Sequence, residues 1–223
     1  TLEAVILDYI ESFEKIYGRT TNSDDYAIRF KHVIKSAHER TGQRAVVLVD
    51  EYDKPLLDVM DDKTLYYVAE NGEKITYESH NRNILKGFYG VFKDADEDLH
   101  FVMLTGVTKF SQVSVFSGFN QPDDISMDAR YESLCGITKD ELLNVFDSSI
   151  HSLAAANGND YHETVSRLEK KYDGYHFSSN LTGIFNPFSI LNCFKKNDMR
   201  NYWFASGTPG YLVRLLAHGN ENI

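Results

Sequence analysis

The sequence predicts an α/β fold with a parallel sheet, followed by a mostly helical C-terminal part. Two runs rich in apolar residues, at positions 45–49 and 99–106, have the length and composition of core strands. Helical periodicity precedes the first run and recurs between the two. This order, in which one helix leads into a strand and a second helix joins two strands, is typical of a doubly wound α/β domain.

Two amphipathic helices are predicted before the first strand. Apolar residues recur at helical spacing over residues 2–17, with acidic residues on the opposite face. A second helix is expected from about Ser23 until Gly42 ends it. The strand that follows is a continuous apolar run, which predicts burial on both of its faces.

The segment between the two core strands contains a hairpin signal and a helix. Two β-rich runs flank Asn71 and Gly72, a dipeptide that favours tight hairpin turns. A helix over about residues 80–94 then leads into the second strand. A crossover through this helix makes the two strands parallel, so their carboxyl ends should share one edge of the sheet.

The chain beyond the second strand is expected to be a long loop followed by helices. The loop, residues 108–130, is either an active-site element or a structural wrap. Thr138 and Glu141 form a capping-box pattern that opens a helix reaching Leu153. Further helices are predicted at 161–172, 187–194 and 208–218. We therefore expect an α/β core over residues 1–135 and a helical, lid-like part over residues 136–223.

Composition argues against several classes of protein. The formal net charge is −10, with 33 acidic against 23 basic residues, so direct binding of nucleic acid by this chain is not expected. No segment reaches the roughly 18 apolar residues of a membrane span, and the first residues lack a signal-peptide pattern. We expect a cytoplasmic protein. Cys135 and Cys193 share no metal-binding motif and are predicted to be reduced core thiols.

Two adjacent carboxylates, Asp50 and Glu51, follow the first core strand directly. A buried strand that ends in two acids is typical of a Walker B segment. There the first carboxylate holds Mg²⁺ through its water shell and the second orients an attacking water. The pattern favours nucleotide hydrolysis. An acidic pair that only caps a strand and begins a turn would explain the same residues.

The sequence contains no match to G-x-x-x-x-G-K-[ST], the loop that holds the phosphates of a nucleotide. The chain also begins at Thr1 without a methionine. We therefore interpret it as a piece of a longer protein, and we expect it to be inactive by itself.

Six separated segments resemble the AAA-ATPase-like family of bacterial proteins, whose members often carry a PD-(D/E)XK nuclease-like domain at the C-terminal end. They are VVLVDEYDKPLLD (46–58), FVMLTGVTKFSQVSVFSGFN (101–120), YESLCGITKDEL (131–142), YDGYHFS (172–178), FNPFSILN (185–192) and YWFASGTPGYLV (202–213). Their order and approximate spacing agree with the family over nearly the whole chain.

The resemblance implies a P-loop NTPase-like fold of the additional-strand, AAA/STAND-like kind, with a Walker A segment and two more strands before Thr1. In such a fold Asp50 is the acid on the Mg²⁺ side and Glu51 is the catalytic glutamate. Thr105 is the polar sensor on the neighbouring strand, and Lys109 is a candidate to face the phosphates. ATP and Mg²⁺ are implied as cofactors of the intact protein, whereas this chain alone is expected to bind neither tightly.

Three functions fit these observations. The first is a fragment of an AAA-like ATPase domain, and the second is a degenerate module that binds a partner without hydrolysis. The third is a metal-dependent nuclease or phosphatase that uses Asp50 and Glu51 without a nucleotide; it ranks last because no third acid has supporting spacing. Missing central strands would leave sheet edges open, which predicts either pairing between chains in a homo-oligomer or an edge covered by a helix.

Overall fold

A computed structural model describes residues 1–59, 66–69, 72–106, 115–116 and 122–203 of the chain. The chain divides into two compact units, Thr1–Pro122 and Asp123–Ile223. In its described part, the first unit combines helices with a small parallel sheet, and the second is mainly helical. The predicted α/β class is therefore confirmed.

Two helices open the first unit, as the sequence predicts. Helix α1 spans Leu2–Tyr17 and begins at Thr1, whose hydroxyl accepts a hydrogen bond from the Ala4 amide. Helix α2 spans Tyr26–Thr41 and ends at Gly42, which adopts the left-handed conformation common at helix C-termini. The two helices pack against each other.

The first unit contains a parallel pair of strands joined by a crossover. Strand β1, Ala45–Val49, pairs with strand β4, Leu99–Leu104. The crossover includes the short helix α3 (Lys54–Leu57), the antiparallel strands β2 (Tyr66–Val68) and β3 (Lys74–Thr76), and helix α4 (Tyr77–Asp94). The predicted parallel pairing and the predicted hairpin are both confirmed.

The prediction that β1 is buried on both faces is wrong for the part of the chain that the structure describes. Val46 and Leu48 are 54% and 69% exposed, and Phe101, the partner of Val46 in β4, is 51% exposed. The alternate residues Val47 and Val49 pack against the helical core instead. Successive side chains of a strand point to opposite faces, so a continuous apolar run supplies two apolar faces whether or not both are covered.

The second unit is built from four described helices and two very short strands. The helices are α5 (Lys139–Val145), α6 (Asp147–Asn157), α7 (Tyr161–Tyr172) and α8 (Pro187–Lys196). The capping box of Thr138 and Glu141 is present, but the single helix predicted after it breaks at Phe146. Strands β5 (Asp173–Tyr175) and β6 (Ile184–Phe185) pair antiparallel and were not predicted. The helix predicted at 208–218 lies outside the described residues.

The two cysteines differ in environment. Cys193 of α8 is fully buried, and this burial raises the pKa of its thiol to about 11. Cys135 is exposed, so its prediction as a core thiol is wrong. It lies in a run of turns before α5. Among the described helices, none is long and apolar enough to cross a membrane.

Candidate functional site

The carboxyl ends of β1 and β4 bring Asp50 and Thr105 together. The amide of Thr105 donates to the Val49 carbonyl at 2.8 Å, which continues the parallel pairing one residue beyond β4. The Thr105 hydroxyl then donates to Oδ1 of Asp50. The structure therefore joins two of the residues that the sequence analysis proposed for one site.

The Asp50 carboxylate is held through one of its oxygens. Oδ1 accepts from the Thr105 hydroxyl and from the Glu51 amide, the latter at 3.0 Å. Oδ2 accepts no hydrogen bond from any described residue, and the side chain is exposed. A fixed carboxylate with one oxygen open to solvent is the kind of ligand that Mg²⁺ prefers. Asp50 therefore fits the role of a magnesium ligand or of an acceptor for magnesium-bound water.

Glu51 has an unusual backbone conformation. Its φ angle is 50°, in the left-handed region that residues other than glycine rarely adopt. Such a conformation costs on the order of 1 kcal/mol and persists only where neighbouring contacts impose it. The result is that the Glu51 side chain remains exposed while the next two residues turn into the core.

Those next residues, Tyr52 and Asp53, anchor the turn. Tyr52 is almost fully buried, Asp53 is fully buried, and the Asp53 carbonyl accepts from the amides of Leu56 and Leu57 in α3. The amide of Tyr52 donates to the Thr105 carbonyl at 2.8 Å. The ends of the two strands are therefore tied by both backbone and side-chain hydrogen bonds.

Two residues of α4 also hold this turn, and sequence reasoning missed them. Asn81 Nδ2 donates to the Pro55 carbonyl at 2.8 Å, and the Tyr89 hydroxyl donates to the Tyr52 carbonyl at 3.4 Å. Both side chains are buried. A polar residue on the apolar face of the predicted helix was the signal at position 81, but its partner cannot be read from spacing along the chain.

Lys109, proposed to face the phosphates, lies outside the described residues. In the described ranges, no group of three or more His, Cys, Asp or Glu side chains is arranged to hold a metal ion. The site that the structure describes therefore consists of Asp50, Glu51 and Thr105 and the contacts that fix them.

The family described as predicted AAA-ATPase, or AAA-ATPase-like, matches residues 1–116, a range that includes both parallel strands and all three site residues. The chain belongs to this family. The recognition of the AAA-ATPase-like family from separated segments is thereby confirmed. No solved structure matches the chain.

A relative of this AAA-ATPase-like chain comes from Azotobacter chroococcum mcd 1, where it is named as an uncharacterized protein in the vnfD 5′ region. It is 38% identical over 215 residues, which is 96% of this chain. The chain spans 37% of the length of that relative.

Proposed function

We propose that a polypeptide joining this chain to a phosphate-binding loop binds ATP with Mg²⁺ and hydrolyses it. The hydrogen bond from Thr105 to Asp50 carries the proposal, because it fixes an acid at the carboxyl edge of two parallel strands. Ligands of open α/β sheets bind at this edge. Membership of the AAA-ATPase-like family supports the same activity. The proposed architecture is the P-loop NTPase-like fold.

Each residue has a distinct part in this proposal. Asp50 holds Mg²⁺, directly or through its water shell, while Thr105 keeps the carboxylate in one orientation. The ion, when bound, neutralises negative charge on the phosphate oxygens. Glu51 is exposed beside Asp50, where its carboxylate orients a water molecule and accepts its proton. Lys109 is proposed to face the phosphates.

A second candidate function is a module that keeps the fold and binds a partner without hydrolysis. Its support is the apolar surface of the first unit, where Val46, Leu48 and Phe101 are exposed in the described structure. Exposed apolar patches of this kind often mark protein contacts. The sequence itself contains no phosphate-binding loop. Both candidate functions must be consistent with this absence.

The deciding experiment measures phosphate release from ATP by the full-length polypeptide, with and without Mg²⁺. We expect Mg²⁺-dependent turnover in the wild type. In Glu51→Gln, turnover should fall by about 100-fold or more while ATP remains bound, because the amide keeps the shape of the side chain but is no base. We expect no turnover by residues 1–223 alone. A full-length protein that neither binds nor hydrolyses ATP would overturn the proposal and favour the partner-binding module.

A further inference from the structure

We propose that Asn81 and Tyr89 of α4 are positioning residues that impose the backbone conformation of the turn carrying Asp50 and Glu51. Their effect on catalysis rests on the proposed ATPase function, whereas their effect on the turn does not. Neither residue is expected to touch the nucleotide. They act through the backbone carbonyls that accept their hydrogen bonds.

The peptide group between Glu51 and Tyr52 is held at both ends by the strands and the turn itself. Its carbonyl oxygen accepts from the Lys54 amide at 3.0 Å, and its amide donates to the Thr105 carbonyl at 2.8 Å. These bonds fix the plane that follows Glu51. The Asp53 carbonyl is held in turn by the amides of Leu56 and Leu57. The carbonyl groups of Tyr52 and Pro55 must also hold their orientation if the left-handed conformation of Glu51 is to persist.

The two α4 side chains hold these two carbonyl groups. Tyr89 donates to the carbonyl of the peptide group that follows Tyr52, and Asn81 donates to the carbonyl that follows Pro55. Both donors reach across from a separate helix, 37 and 26 positions along the chain from their acceptors. The turn is therefore held by side chains of α4 as well as by the end of β4.

Both donors are well suited to a fixed contact. Tyr89 is 3% exposed and its ring lies against those of Phe92 and Phe116, with centroids 6.0 and 5.7 Å away. Burial raises the pKa of its hydroxyl, which therefore remains a donor at physiological pH. Asn81 is also buried, and a buried amide is retained at little penalty only when it is hydrogen-bonded.

Loss of either hydrogen bond should allow the turn to relax and the Glu51 carboxylate to move. A displacement of about 1 Å at a catalytic group can lower a rate by about 100-fold. Binding of ATP depends far less on Glu51, because this residue acts on water rather than on the phosphates. The expected signature is a lower kcat with little change in KM.

The experiment compares Tyr89→Phe and Asn81→Ala with the wild type in the full-length protein. Tyr26→Phe is a matched control, because the Tyr26 hydroxyl donates to the Ile84 carbonyl of α4 at the same distance of 3.4 Å but away from the turn. For each protein, kcat and KM for ATP are measured. Amide hydrogen exchange is followed in peptides covering residues 50–56 and, separately, α2.

We expect kcat to fall by about 10-fold or more in Tyr89→Phe and Asn81→Ala, with KM within about 2-fold of the wild type. Exchange should accelerate over residues 50–56 and stay unchanged in α2. Tyr26→Phe should leave kcat and the exchange of the turn unchanged. Tyr89→Phe removes one oxygen and keeps the ring, so it tests the proposal independently if Asn81→Ala fails to fold.

Two results would overturn the proposal while leaving the ATPase function standing. One is a wild-type kcat in both variants of an active protein. The other is exchange that rises equally in α2 and in the turn, which would mark a general loss of stability. If the wild type itself does not hydrolyse ATP, the proposed function fails, and exchange alone decides whether α4 fixes the turn. Unchanged exchange over residues 50–56 would then reject this role too.

Discussion

A Cβ atom on residue 106 would lie 2.3 Å from Cε1 of Tyr52, because the Gly106 backbone and the tyrosine ring are in direct contact. The same atom would lie 2.8 Å from Oδ1 of Asp53. The segment that leaves β4 therefore packs against the turn that leaves β1 at a point where no side chain fits. This contact ties the buried side of the turn to the same strand end that carries Thr105.

Substitution of Gly106 by alanine should destabilise the protein. Tyr52 and Asp53 are buried and cannot move away freely, so we expect a loss of about 1–3 kcal/mol in the free energy of unfolding. Chemical denaturation measures this change. Gly90→Ala is the control, because an added Cβ there has no neighbour within 4 Å and the site is helical. It should leave stability unchanged or raise it by up to about 1 kcal/mol. Equal effects at the two positions would contradict the close packing.

Substitution of Asp50 by asparagine should weaken the part of ATP binding that depends on Mg²⁺. The amide can still accept from the Thr105 hydroxyl, but it lacks the negative charge that attracts the ion. Titration of ATP with and without Mg²⁺ measures the difference in the full-length protein. We expect the magnesium-dependent gain in affinity to fall by about 10-fold or more. If the gain stays at its wild-type size, Asp50 does not serve as the metal-side acid.

Removal of the Thr105 hydroxyl should lower ATP hydrolysis. Thr105→Val keeps the shape of the side chain but loses the donor to Asp50, so the carboxylate is free to change its orientation. We expect a fall in kcat of about 10-fold or more. Thr105→Ser retains the hydroxyl and should keep most of the activity. Steady-state kinetics of both variants provide the test, and equal activity in Val and Ser would show that the hydrogen bond is dispensable.

The ion pair between Arg29 and Glu14 should make stability depend on acid pH. Arg29 Nη2 and Glu14 Oε2 are 2.7 Å apart between α2 and α1, and the hydrogen bond from Arg29 lowers the pKa of Glu14 below its usual 4.5. Stability from this pair is present above about pH 4.5 and is lost as the pH falls through the lowered pKa in the folded state.

Glu14→Gln tests this dependence by leaving Arg29 without its closest carboxylate. We expect a loss of about 3 kcal/mol at neutral pH and a smaller loss of stability between neutral and acid pH than in the wild type. Unfolding measured from pH 3 to pH 7 checks both points. Glu39→Gln is the control, because Glu39 pairs with Lys35 on an exposed helix surface, at 3.8 Å. If the two variants gave the same pH profile, the buried pair would have no special role.

The elements that sequence reasoning placed well are those with a long local pattern. Helices α1 and α7 have clear periodicity and defined ends, and β1 is an uninterrupted apolar run that stops at two acids. Strands β5 and β6 are only three and two residues long, which is too short for a period to be visible. The break at Phe146 was hidden because the apolar spacing of α5 continues into α6.

The contacts that define the candidate site were harder to predict from the sequence. The meeting of Asp50 with Thr105 follows from the parallel pairing of two strands, which the crossover helix makes predictable. The hydrogen bonds from Asn81 and Tyr89 depend on how α4 is rotated and where its residues meet the turn. The left-handed backbone of Glu51 is not predictable from the sequence either, since glutamate has no intrinsic preference for it.

The partners in the Asp50 and Thr105 hydrogen bond are 55 positions apart, and the whole crossover lies between them. Contacts of such large sequence separation are expected to form late in folding. The conformational entropy of the intervening chain must be lost before the contact contributes any stabilising energy. Until β4 pairs with β1, the Asp50 carboxylate lacks the hydrogen bond from the Thr105 hydroxyl. The orientation of Asp50 is therefore a reporter of completed folding, and a newly synthesised chain gains its oriented acid only when β4 has joined β1.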